Sequence, residues 1–219
     1  MKSNLMHAHV NASKKALLTV AVTAAVLASG CASISAPEKS SSMAAFEQLS
    51  LQPDGTRSWR SAAAANAAAV HIDPKAIVFA ADVGIDDEQR QILRWALVEA
   101  LTKQFNEAGL NVIETPVAPA GAAAINVRAT ITGVELASPA VNIASAIFLF
   151  MPVSRGSMSV EIEATAIGDG KRVAAMAFSG TAGINNIGSA FTSIGHAKLQ
   201  ADLAATKFIA LVTGASKTN

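Results

Sequence analysis

The chain has 219 residues with 17 basic and 16 acidic side chains, so its formal charge of +1 leaves no basic surplus of the kind nucleic-acid binding draws on. A single cysteine excludes an internal disulfide, and 51% hydrophobic residues with 5% aromatics and no tyrosine describe a core of small and aliphatic side chains. The length suits one domain with a terminal extension.

The N-terminus carries Lys2, Lys14 and Lys15 without an acid, and residues 16–27 (ALLTVAVTAAVL) form an uncharged apolar run. Twelve residues are too few to span a bilayer, which takes roughly 20. Basic flank, short apolar core and a small-residue end at Ala28-Ser29-Gly30 are the parts of a signal peptide. The residue that follows is Cys31, the only thiol, and small-small-Cys is the cleavage pattern of a bacterial lipoprotein. The expectation is therefore a signal peptide over 1–30, with an S-diacylglycerol and an N-palmitoyl group on Cys31. The other reading is an ordinary secretory signal that leaves a free thiol behind. Leu27 lies one position early for the common lipobox, but a lone free thiol in an oxidising compartment would be an odd leftover, which acylation explains. Several acyl chains would anchor the protein stably, and Ala32 after the cysteine favours the outer membrane over the inner one.

Without residues 1–30 the chain keeps 14 basic against 16 acidic side chains, a net charge of −2. Residues 31–45 are rich in Ser, Ala and charge without apolar periodicity, which reads as a flexible tether. Residues 46–70 hold isolated apolar side chains around a Pro53-Asp54-Gly55 turn and then a nearly pure alanine stretch, read as a connector. The α/β domain is expected over 71–213, with a short tail at 214–219. Its first strand is read from the apolar run 76–83 (AIVFAADV), introduced by Ile72-Asp73-Pro74. Asp86 and Gln89 have capping-box spacing, and Leu93, Leu97, Ala100, Leu101, Phe105 and Ala108 make one helical stripe that Gly109 ends.

Residues 111–115 (NVIET) read as a short strand. Alternation is clear from Ile125 to Thr132 and again from Met158 to Ala166, and Gly168-Asp169-Gly170 turns the second run into a hairpin partner over 172–180. The last helix, about 196–212, carries Leu199, Leu203, Phe208 and Leu211. Strands with one dry and one wet face predict an α/β (α+β) two-layer sandwich. It has a mixed or antiparallel sheet of about five strands and two helices on one face. Residues 141–151 (VNIASAIFLFM) interrupt this pattern and are too short to cross a membrane. They are either a crossover packed on the sheet or an exposed patch in which Ile143, Ile147, Phe148 and Phe150 meet a partner or lipid. Residues 183–195 raise the same question.

Catalytic constellations are missing. His71 and His196 stand far apart, and no cysteine pair, HExxH, EF-hand spacing or nucleophile elbow occurs, so no metal or cofactor is expected. Asp82, Asp86, Asp87 and Glu88 crowd a strand-to-helix turn, where negative charge has an ordinary use at a helix N-terminus. Glu161 and Glu163 share one strand face, expected to be solvated, with Arg128 opposite.

Several stretches in order carry a family likeness. They are the Cys31 lipobox, IDPKAIVF before the acidic turn and long helix, GLNVIETP after it, INVRATITGVE, the SMSVEIEATAIGDGKRVAAM hairpin and HAKLQADLAATKF. Over most of residues 31–212 the chain resembles the bacterial lipoprotein family catalogued as domain of unknown function 3313. The resemblance implies a small envelope domain and assigns no activity. The functional expectation is a non-catalytic, lipid-anchored envelope lipoprotein whose periplasmic domain binds another envelope component and no nucleic acid. The alternative is a periplasmic carrier or chaperone for an apolar ligand.

Overall fold

The computed structural model describes residues 33–35, 42–138, 140, 156–181, 192 and 194–215. The chain divides into two units, Met1–Cys31 and Ala32–Asn219. The signal-peptide residues 1–30, Cys31 and the apolar run 141–151 lie outside the described residues. Among the described residues, no helix is long and apolar enough to cross a membrane.

The second unit is built on an eight-stranded mixed sheet, against the about five strands expected. In chain order the strands are β1 (Ser33–Ser35), β2 (Ser50–Leu51), β3 (Arg57–Arg60), β4 (Ala67–Phe79), β5 (Asn111–Ile113), β6 (Ala123–Glu135), β7 (Ser157–Ala166) and β8 (Arg172–Thr181). Their order across the sheet is β2-β3-β8-β7-β6-β4-β5, and β1 pairs with β8 beyond the end of β3. β4 runs parallel to β5 and β6, and every other pair is antiparallel. The additional strands are short and carry few large apolar side chains; β1 and β3 form by pairing their backbones with β8, and β2 by pairing with β3. Such segments leave no alternation to read.

The expected domain start at His71 moves toward the N-terminus. β4 begins at Ala67, and the alanine stretch before it is a 3-10 turn, Ala62–Asn66. β4 also continues through Asp73-Pro74 instead of starting there. Its register with β6 slips between Ile72, opposite Val127, and Ile77, opposite Ala129. Such a bulge is how a strand interior accommodates a proline, which has no N–H to give the ladder. Residues 31–45 are not a free tether throughout, since Ser33–Ser35 pair with Ser179–Thr181.

α1 (Asp87–Glu107) and α2 (Gly195–Thr213) pack on each other and on one face of the sheet. The α1 capping box is complete: the Gln89 amide donates to Asp86 Oδ1 at 2.7 Å and the Asp86 amide to Gln89 Oε1 at 3.2 Å. Leu93, Leu97, Ala100, Leu101 and Phe105 are buried, whereas Ala108 at the C-cap is exposed. These side chains meet Val127, Ile131, Val160, Ile162, Met176 and Phe178 in one core. Burying each of the larger ones contributes roughly 1.5–3 kcal/mol. α2 differs from its expected stripe. Leu199 is 38% exposed, and the buried face is Ala197, Ala201, Ala204, Ala205, Phe208 and Val212. Small side chains there let the helix approach the sheet closely.

Candidate functional site

On β6, β7 and β8 every second residue faces away from the helices. Those residues include Arg128, Glu161 and Glu163. Arg128 and Glu163 are register partners across β6 and β7, and the guanidinium contacts the carboxylate at 2.7 Å through Nη2 and 2.9 Å through Nε. Arg172, at the start of β8, approaches the other oxygen of Glu163 at 3.5 Å and stacks over the Trp59 ring at 5.1 Å. It also donates to the Ala44 carbonyl at 2.7 Å and to Gln48 Oε1. The Ser42 hydroxyl donates to Glu161.

Residues 42–49 therefore lie over this sheet face. Met43 and Leu49 are buried with Ala175 and Ala177, and Phe46 and Trp59 flank them. The cover leaves Glu161 only 4% and Glu163 8% exposed, which corrects the expectation of a solvated acidic pair. The signal for this cover in the sequence is slight: Met43, Phe46 and Leu49 recur at a spacing of three, with only Ser42, Ala44, Ala45, Glu47 and Gln48 around them. Beneath it lies a cavity of about 260 Å³ lined by Ala76, Val78, Arg128 and Glu161 among others. Arg128 is paired with Glu163 and Glu161 accepts from Ser42, an arrangement that ties residues 42–49 to the sheet.

The other candidates are dispersed. His71 Nδ1 lies 2.7 Å from Asn126 Oδ1 on β6. His196 is buried at the start of α2, and burial holds its imidazole pKa below the ordinary value of 6.5. In the acidic turn Asp86 serves as helix cap, and Asp82 lines a polar cleft of about 460 Å³ at one end of the sheet. Glu135, Ser157, Ser159 and Ser179 line the same cleft, with the Ser157 hydroxyl donating to Glu135 at 3.0 Å. Among the described residues no group of three or more His, Cys, Asp or Glu side chains is placed to hold a metal ion. A broader groove of about 800 Å³ runs along the outer face of α1 and α2 and includes Trp95, which is 56% exposed. Cys31, Ile143, Ile147, Phe148 and Phe150 lie outside the described residues.

Fold and face together define a mixed α/β domain with a helix pair on one sheet face and a polar, partly covered second face. The profile of the family described as "Protein of unknown function (DUF3313)" matches residues 38–208, and the chain belongs to that family. No curated protein matches the chain. Among solved structures, the chain is similar to the PelC dodecamer from Paraburkholderia phytofirmans, with 12% identity and a TM-score of 0.41, covering 72% of this chain and 96% of that one. A point variant of that PelC dodecamer in another crystal form gives 12% identity and a TM-score of 0.42, covering 74% and 98%.

Proposed function

We propose that the protein is a lipid-anchored bacterial envelope lipoprotein, held in the outer membrane by acyl chains on Cys31, whose domain binds another envelope component without catalysing a reaction. The observation that carries the reading is the order of basic flank, apolar core, small residues and a unique cysteine at the N-terminus. The engagement of Glu161, Glu163, His71 and Asp86 in structural contacts supports a non-catalytic role. The contact residues of this reading are Ile143, Ile147, Phe148 and Phe150.

Mass spectrometry of the N-terminal peptide and membrane fractionation test it. The parent protein carries a diacylglycerol thioether on Cys31 and sediments with the outer membrane. Cys31→Ser loses the lipid and accumulates as soluble protein or uncleaved precursor. A parent peptide without lipid mass defeats the anchor, and a Ser variant that fractionates like the parent does the same.

A further inference from the structure

Resting on the lipid anchor at Cys31, we infer that one particular end of the sheet is apposed to the bilayer: the end that carries Asp82, Glu135, Ser157 and Thr181. The argument starts from β1. Ser33 is opposite Thr181, Ile34 opposite Gly180 and Ser35 opposite Ser179. Ser33 is the second residue after Cys31, so an extended chain ties an acylated Cys31 within about 7 Å of the sheet. The attachment has a direction. β1 starts at the C-terminal end of β8, whereas Ala44 and Gln48 are held by Arg172 at its N-terminal end. The segment between the anchor and the domain is thus fixed to β8 at two points, with its anchored end at Thr181.

Thr181 is not alone at that end. Ser157 is its register partner on β7, and Glu135 is the partner of Ser157 on β6. Asp82 lines the same cleft as all three. The connection that contains residues 141–151 leaves β6 and returns to β7 at this end as well. The opposite end carries the Gly168-Asp169-Gly170 turn, and β7 separates the two by about 30 Å at 3.3 Å per residue. A tie of about 7 Å cannot reverse a sheet about four times longer, so the anchor sets the orientation of the domain as well as its location. Among the described residues, Asp82 and Glu135 give this end acidic side chains, which rest at the headgroups without entering the hydrocarbon.

Energy transfer to the membrane surface tests the orientation. Lipidated full-length protein is bound to vesicles of phosphatidylethanolamine and phosphatidylglycerol with a minor headgroup-labelled acceptor lipid. A maleimide donor is placed at Asp82→Cys or Glu135→Cys in one set and at Asp169→Cys in another. The thioether at Cys31 does not react, so each variant carries one donor. Transfer is expected to be several-fold greater at positions 82 and 135 than at 169. A Gly/Ser insert of about 20 residues between Ala32 and Ser33 should collapse that difference, since its end-to-end distance averages about 25 Å. Equal transfer at both ends of an acylated, vesicle-bound protein overturns the orientation and leaves the anchor standing. A difference that survives the insert overturns the role of the short tie. Absence of lipid on Cys31 overturns anchor and orientation together.

Discussion

Phe105 and Phe208 meet edge to face where α1 contacts α2, their ring centroids 6.4 Å apart and their planes at 87°. The positive ring edge of one aromatic sits against the negative face of the other, which adds about 0.5–1.5 kcal/mol beyond the area buried. This pair joins two stripes that lie about a hundred residues apart in the chain. Phe208→Ala should cost about 3–5 kcal/mol, read from the urea midpoint. Leu97→Ala on the same core should cost about 2–5 kcal/mol, whereas Asp169→Ala in the exposed hairpin turn should barely move the midpoint. Equal and small shifts for Leu97→Ala and Asp169→Ala would remove the core assignment of α1.

The clamp over the polar sheet face makes a graded prediction. The Arg172 side chain is 17% exposed, and its replacement by Met leaves Glu163 with one fewer partner and releases Ala44 and Gln48. A loss of about 3 kcal/mol is expected, together with faster proteolysis within residues 42–49. Arg128 is 56% exposed, so its ion pair is screened by water and Arg128→Met should cost about 1 kcal/mol or less. Urea titrations that place the two variants in the opposite order would show that Arg172 is not the residue holding the cover down.

Gly180 marks a close approach between β8 and α2. A Cβ at this position would collide with Gln200 Oε1 and would lie 2.6 Å from Phe178 Cζ. Gly180→Ala should lower stability by about 1–3 kcal/mol, the usual cost of overpacking. Adding Gln200→Ala removes one of the two obstructions. The double variant should recover part of the loss, which a double-mutant cycle measures directly. Strict additivity of the two changes would contradict the contact.

The pH dependence has two windows. His196 is held below its ordinary value of 6.5 by burial, so the unfolded chain binds its proton first. Stability contributed by neutral His196 is complete above about pH 6.5 and falls as the pH drops toward the depressed folded value. Burial raises the Asp54 carboxyl, but hydrogen bonds from Lys207 and Thr56 outweigh that and hold it below 3.8. Its contribution is complete above about pH 4 and is lost only on further acidification. The thermal midpoint should therefore fall in two stages on acidification. His196→Gln should remove the first stage and Asp54→Asn should reduce the second. A His196→Gln profile parallel to the parent between pH 7 and 5 would contradict the assignment.

The apolar run 141–151 is tested by Phe148→Ser combined with Phe150→Ser. As a contact surface, these changes should leave the thermal midpoint nearly unmoved and abolish copurification of the envelope partner. A loss of several kcal/mol would show instead that both rings are core, because the cavities and unpaired hydroxyls would then lie inside.

Much of the architecture could be read from local pattern. The helix α1 follows from the Asp86/Gln89 spacing and the leucine stripe, and the β7–β8 hairpin follows from alternation around Gly168-Asp169-Gly170. The pairing of Arg128 with Glu163 also follows from alternation, since two wet faces with opposite charges lie best side by side. What could not be read depends on partners far along the chain. β1, β2 and β3 carry little apolar pattern; β1 and β3 exist because β8 offers them backbone to pair with, and β2 adds to β3. The burial of Glu161 and Glu163 depends on residues 42–49, more than a hundred positions away, which no local window contains. In α2 the alanines outweighed the leucines, because the space between helix and sheet rewards small side chains where hydropathy rewards large ones.

The pairing of the first strand with the last has a consequence for the time course of folding. β1 and β3 both dock on β8, and the bond from Arg172 to Ala44 spans 128 positions. None of these contacts can form until nearly the whole chain is free to search, and closing so long a loop carries an entropy cost that later contacts must offset. β1 and β3 should therefore join the sheet late and slowly relative to the α1 helix and the β7–β8 hairpin. A refolding experiment with a donor near residue 42 and an acceptor near 172 should register closure in the slowest phase. Until that phase ends, the edge of β8 stays open to any other strand.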